Sequence, residues 1–210
     1  MVENSTLLNP GFASASVGFA ATGDVRDGFD HGPIAVTRDG GVSWSRRQGP
    51  CNGWQNMPVG FSFPSASTGW LLCGSTDPGA GFFQFKAVYR TLDAGETWIP
   101  MTRSSPDGSL GQALPPNGGA IGIRMFENGT GYVWAGGGDS NYLATTIDSG
   151  ASWDVVRDAV DGGGSELTST SWLDPINAYA IRWRSSFGYD LVVSDDGGKS
   201  WSALARWPRK

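Results

Sequence analysis

Apolar residues along this chain come in short runs, each stopped within a few positions by Gly, Pro, Asn, Asp or Ser. Residues 59–63 form a β-rich run, 64–68 read as a turn, 69–73 as a second run, 83–90 as a third with alternating character, and 97–101 as a fourth. Runs this short, bounded by turn residues, predict strands rather than helices. None approaches the ~18 apolar residues of a membrane-spanning helix, so no membrane insertion is expected.

The unit recurs. The pattern [ST]-x-D-x-G-x-[ST]-W appears four times: at Thr37, Asp39, Gly41, Ser43 and Trp44; at Thr91, Asp93, Gly95, Thr97 and Trp98; at Thr146, Asp148, Gly150, Ser152 and Trp153; and at Ser194, Asp196, Gly198, Ser200 and Trp201. The steps from one Trp to the next are 54, 55 and 48 residues, the size of a four-stranded propeller blade with its loops. A looser repeat precedes each copy: a large apolar residue, then a small residue and an aromatic six and seven positions on. It reads Phe12, Gly18, Phe19; Phe63, Gly69, Trp70; Met125, Gly131, Tyr132; and Trp172, Ala178, Tyr179. The octapeptide falls between the third and fourth strands of each unit. There the Asp carboxylate accepts backbone N–H bonds, the Gly takes positive φ, and the Trp opens the last strand as a core anchor. The expected fold is all-β: a β-propeller of four-stranded antiparallel blades, with repeats at about 9–50, 59–103, 120–157 and 168–207. Four units suit a closed four-bladed ring, part of a larger propeller, or a homodimer in which two chains complete one larger ring.

Composition narrows the function. The 210 residues include 32 Gly and 12 Pro, but 10 Trp and 10 Phe supply the apolar surface of a folded core. The net charge is -5, with basic residues scattered, so no nucleic-acid partner is expected. The first twenty residues show no signal-peptide pattern. Two cysteines and one histidine, His31, supply neither a structural zinc site nor a nucleophile triad, so neither a metal nor a cofactor is expected.

The octapeptide resembles the Asp-box, or BNR repeat, of sialidases, xyloglucan-degrading enzymes, sortilin-type receptors and photosystem II assembly factors. The resemblance extends over essentially the whole chain. It implies a propeller and leaves function open, because Asp-box families include both enzymes and binding proteins whose boxes sit away from the ligand. The sialidases also carry an arginine triad whose first member lies in an R-I-P motif, and this sequence has no R-I-P.

Because strands alternate direction, the turns between first and second strands share a face with the boxes, while the longer and more varied connections gather on the opposite face. On that long-loop face Trp54, Phe82, Phe187 and Tyr189 are candidates for stacking on a sugar or gripping a peptide. Asp27, Asp30, Asn52, Gln55, Asp139 and Arg184 are their polar companions. The functional expectation is a non-catalytic scaffold that binds a carbohydrate or a partner protein there. The alternative is a glycoside hydrolase of the sialidase-like or xyloglucanase-like type, which would need paired carboxylates or a Tyr and Glu pair. Cys51 and Cys73 fall on the same face, either as a disulfide or as two buried thiols. A disulfide would favour an extracytoplasmic or secreted setting.

Overall fold

The computed structural model describes residues 6–23, 33–51, 57–74, 84–104, 114–136, 141–156, 165–184 and 188–208. Its sixteen strands form four antiparallel sheets, each built from four strands consecutive in the chain, with no helix among the described residues. Blade 1 is β1 (Thr6–Phe12), β2 (Gly18–Gly23), β3 (Pro33–Thr37) and β4 (Ser45–Gln48). Blade 2 is β5 (Met57–Ser62), β6 (Gly69–Gly74), β7 (Lys86–Thr91) and β8 (Ile99–Arg103). Blade 3 is β9 (Gly119–Met125), β10 (Gly131–Gly136), β11 (Tyr142–Thr146) and β12 (Asp154–Val156). Blade 4 is β13 (Ser165–Trp172), β14 (Ala178–Arg184), β15 (Gly188–Ser194) and β16 (Ser202–Trp207).

The first and second strands of blades 1, 2 and 3 pack on the first strand of the blade that follows, and the fourth strand of each blade lies outermost, largely exposed. Every first-to-second strand pairing contains a register shift that bends the ladder. In the middle blades both sheet faces are covered, so β6 is buried along its whole length and reads as a continuous apolar run. In β14 and β15 burial alternates with period two, as expected where, among the described residues, one face of blade 4 packs on another blade.

Each box folds alike. The first hydroxyl, on Thr37, Thr91, Thr146 or Ser194, donates to one carboxylate oxygen of its Asp at 2.7–2.9 Å. It also accepts the N–H of the box glycine at 2.8–3.0 Å. The second Ser or Thr gives its backbone N–H to the same carboxylate oxygen and its hydroxyl to the other. Two residues per box take positive φ, the glycine and the position before it; in boxes 2 and 3 the latter is Ala94 (φ 56°) and Ser149 (φ 64°). The box Trp stands one residue before the last strand instead of opening it. It turns back over the box: Trp44, Trp153 and Trp201 donate Nε1–H to the glycine carbonyl, whereas Trp98 does not make this bond.

The looser repeat proves to be the device that joins blades. Its small residue makes room within its own blade: a Cβ on Gly18 would lie 2.7 Å from the Phe12 ring, and one on Gly69 would lie 2.2 Å from the Phe63 ring. Its aromatic reaches into the next blade, against that blade's own large apolar residue and box. Phe19 stacks on Phe63 at 4.8 Å, and its ring edge is where a Cβ on Gly95 of box 2 would fall. Trp70 joins Met125 in one core cluster and donates Nε1–H to the Ser149 carbonyl of box 3 at 2.9 Å. Tyr132 stacks on Trp172 at 3.6 Å, and its hydroxyl donates to the Pro175 carbonyl beside box 4. Three successive interfaces therefore repeat one plug and one socket.

Candidate functional site

The turns between first and second strands lie with the boxes. The backbone N–H groups of Gly40, Ala94, Ser149 and Gly197 donate to the carbonyls of Ser16, Ser67, Gly129 and Ile176, one bond per blade. This face is uniform, and the carboxylates of Asp39, Asp93, Asp148 and Asp196 are occupied. The hydroxyl of Ser43 leads the hydrogen bonds that draw the Asp39 carboxyl down to about 2. At Asp148 burial pushes upward, but bonds from Ser152, Thr146 and Ala151 outweigh it and the carboxyl sits at about 2. Asp93 is lowered chiefly by the Thr97 hydroxyl. Asp196 is lowered against a burial penalty, mainly by Ser200.

The opposite face carries structures that do not repeat. Cys51, just after blade 1, is bonded to Cys73 in β6 with Cα atoms 5.6 Å apart. Both sulfurs are buried among Leu71, Ala87 and Tyr89. The connection between blades 2 and 3 is pinned by Lys86, whose side chain is fully buried at the start of β7. Its ammonium donates to the carbonyls of Gln84, Pro115 and Asn117 at 2.7, 3.1 and 3.0 Å. Burial pulls Lys86 down to about 7 from an ordinary 10.5. The Tyr142 hydroxyl, pushed up by burial, adds a 3.3 Å bond to the Pro115 carbonyl. Beneath this strap Leu114 is buried in the core shared by blades 2 and 3.

At the same end of blade 4, Arg182 and Arg184 converge on one oxygen of Asp190 at 2.9 and 3.1 Å. Burial pushes the Asp190 carboxyl up, and the two guanidiniums more than offset it, so the group stays ionised. The side chains of Arg182 and Asp190 are about 5% exposed and that of Arg184 is 26% exposed.

Of the candidate residues, Arg184 and Tyr189 belong to strands, not to a loop: Arg184 ends β14 and Tyr189 is second in β15. Arg184 pairs across the ladder with Gly188 and Tyr189 with Trp183, so the two candidates point to opposite faces of the sheet. Arg184 joins the Asp190 cluster, whereas Tyr189 stands exposed on the outer flank opposite Trp207. Trp54, Asp27, Asp30, Asn52, Gln55, Phe82, Asp139 and Phe187 lie outside the described residues. Lys86 and the Arg182–Asp190 pair escaped the sequence reading. Their signals were a lysine at an inward register of the third strand, and opposite charges in two strands that form a hairpin.

The BNR/Asp-box repeat model matches residues 192–203, the fourth box. No curated protein matches the chain by sequence. Among solved structures, YCF48 bound to D1 peptide is 15% identical with a TM-score of 0.51, over 98% of this chain and 84% of that one. The GH74 xyloglucanase of Xanthomonas campestris is 16% identical with a TM-score of 0.63, over 98% of this chain and 31% of the enzyme. Trypanosoma rangeli sialidase is 12% identical with a TM-score of 0.56, over 96% of this chain and 36% of the enzyme. The chain thus spans about a third of the length of these two hydrolases. Four boxes of one geometry on four sheets of one topology give this chain an all-β propeller fold of four blades, each with a turn similar to the BNR/Asp-box repeat.

Proposed function

We infer that this protein is a non-catalytic scaffold that binds an extended segment of a partner protein on its long-loop face. The observation that carries the reading is the division of chemistry between the two faces. All four box carboxylates are consumed in turn geometry, while the non-repeating anchors gather at the other end of the blades: the disulfide, the Lys86 strap and the Arg182–Asp190–Arg184 cluster. Rigidly mounted connections are what a binding surface needs. A hydrolase of the glycosidase type would need a carboxylic acid held protonated by a raised pKa. Every described carboxylate whose pKa is displaced is displaced downward. YCF48, a solved protein of similar fold, is bound to D1 peptide, which supports the same choice over a glycan. The buried disulfide suits an extracytoplasmic compartment.

The test pairs selection from a phage-displayed library of extended peptides with binding assays on sialyllactose and xyloglucan oligosaccharides and with turnover of aryl glycosides. The expected result is enrichment of one family of extended peptides, with no binding of either glycan and no turnover of the glycosides. Turnover of a glycoside that disappears when a single loop carboxylate becomes an amide would overturn the reading. Binding of the glycans without the peptides would overturn the choice of partner.

A further inference from the structure

The strap at residues 114–118, which crosses between blades 2 and 3, hangs chiefly on one cation. Three consecutive carbonyls of the strap are bonded: Pro115 and Asn117 accept from the Lys86 ammonium, and Pro116 accepts the Gln84 N–H at 2.6 Å. The Tyr142 hydroxyl adds a bond to Pro115, and Leu114 is buried in the core beneath. Lys86 gives its third proton to the Gln84 carbonyl and is 0% exposed, so the whole ammonium is satisfied inside the protein. Among the described residues the ion pairs join arginines to Glu96 and Asp190, and none includes Lys86. It is therefore a buried ion solvated by neutral carbonyls.

Removal from water favours the neutral amine of such a group, and among the described residues no opposite charge offsets that preference. Its titratable neighbour is Tyr142 of β11, whose ring lies 5.6 Å from the ammonium and whose own hydroxyl is held protonated by burial. β6 presents Gly74, the segment after β8 presents Ser104, and Arg103 in β8 is exposed. Burial accordingly brings Lys86 down to about 7 while the strap is fastened. With the strap released, water reaches the amine and its ordinary 10.5 returns. We propose that the strap is a pH-sensitive latch, which acidification releases from Lys86 and alkali fastens, so that the connection between blades 2 and 3 on the long-loop face loosens as pH falls. The released form binds the proton more tightly, so each fall in pH between 10.5 and about 7 favours it; below that both forms are charged and the effect levels off. The neutral amine still donates two hydrogen bonds, which keeps the strap closed in alkali. From the two values the released fraction grows about 50-fold from pH 9 to pH 7 and only about twofold more below pH 7.

Two measurements on the unaltered chain test this, and neither involves a binding partner. The Lys86 13Cε resonance, followed by NMR in protein labelled at lysine, reads protonation directly, and its midpoint is expected at about 7. Hydrogen exchange at the Gln84 amide, corrected for its intrinsic pH dependence, reads release, because that N–H is bonded to Pro116 of the strap. Its protection should fall about 50-fold from pH 9 to pH 7. At each pH Gln84 should exchange faster than Val133, buried in the middle of β10, which marks opening of the strap rather than unfolding of the chain. Tyr142→Phe removes one bond to Pro115 and no charge, so it should speed Gln84 exchange about fivefold at both pH values and leave their ratio unchanged. Lys86→Met should abolish the ratio. A 13Cε midpoint at 10 or above, a protection ratio below about threefold, exchange at Gln84 no faster than at Val133, or a ratio that survives in Lys86→Met would each overturn the proposal.

Discussion

Reduction of the Cys51–Cys73 bond offers the cleanest quantitative test of how the long-loop face is held. The two cysteines are 22 positions apart and close a loop that contains β5 and most of β6. In the chain-entropy model, opening a loop of that length returns about 3 kcal/mol of conformational freedom to the unfolded state. With an unfolding entropy near 2.1 cal/mol/K per residue, that loss lowers the melting midpoint of a 210-residue chain by about 7 °C. Both sulfurs are buried, so reduction must be carried to completion in denaturant, confirmed by thiol titration, and followed by refolding under reducing conditions. Calorimetry of the oxidised and reduced proteins then reads the shift, and Cys51→Ala/Cys73→Ala separates cross-linking from packing. The double alanine variant should melt at or below the reduced protein, because it also leaves a cavity among Leu71, Ala87 and Tyr89. A fully reduced protein that melts within about 2 °C of the oxidised one would refute the assignment of stability to this bond.

The box turns predict opposite effects at adjacent positions. Gly95→Ala places a Cβ 2.5 Å from the Phe19 ring at φ +81° and should cost roughly 3 kcal/mol in urea denaturation. Ala94→Gly, which releases a non-glycine residue from φ 56°, should be neutral or stabilise by up to about 1 kcal/mol. Folding lowers the box carboxyls, so the stability they contribute is complete above their ordinary 3.8 and is lost as pH falls toward about 2. Acid titration followed by tryptophan fluorescence should show that window, and Asp148→Asn should narrow it. Lys86→Met leaves the carbonyls of Gln84, Pro115 and Asn117 without their donor and should destabilise by about 1–3 kcal/mol. Folding lowers the Lys86 pKa, so the unfolded chain binds that proton more tightly and stability should rise from pH 7 toward 10.5; in Lys86→Met this rise should be absent.

Repetition made the blades legible. Asp39, Asp93, Asp148 and Asp196 sit at matching positions of one octapeptide, and that pattern contains nearly every atom of the turn it forms. The looser repeat was equally visible, but its meaning was not. Sequence spacing places Phe19, Trp70, Tyr132 and Tyr179 at equivalent points within their blades, whereas their partners, such as Phe63 and Trp172, belong to the next blade. Spacing within a unit carries no information about the contact between units. Positive φ at Ala94 and Ser149 was hidden for the opposite reason, since tertiary packing overrides residue preference there. Arg184 and Tyr189 were assigned to one surface because a loop was expected. Strand geometry instead puts them on opposite faces, and a single residue of register decides which of them meets Asp190.

The placement of charge explains why the boxes serve architecture. Each box carboxylate accepts three hydrogen bonds from its own turn, so one oxygen receives a hydroxyl and a backbone N–H and the other receives a hydroxyl. A group so occupied has little capacity left for a ligand, and its lowered pKa makes it a poor proton donor. Displacing those bonds would unmake the turn that receives the plug of the preceding blade, as Gly95 receives Phe19 and Ser149 receives Trp70. A ligand site on the box face would therefore compete directly with the blade interfaces. The long-loop face carries no such constraint, because the contacts there, Cys51 to Cys73, Lys86 to its three carbonyls and Arg182 to Asp190, each occur once and each hold a single connection or strand end. Changes in loop sequence at that end leave the four boxes and three interfaces intact, so those loops can vary without loss of the fold.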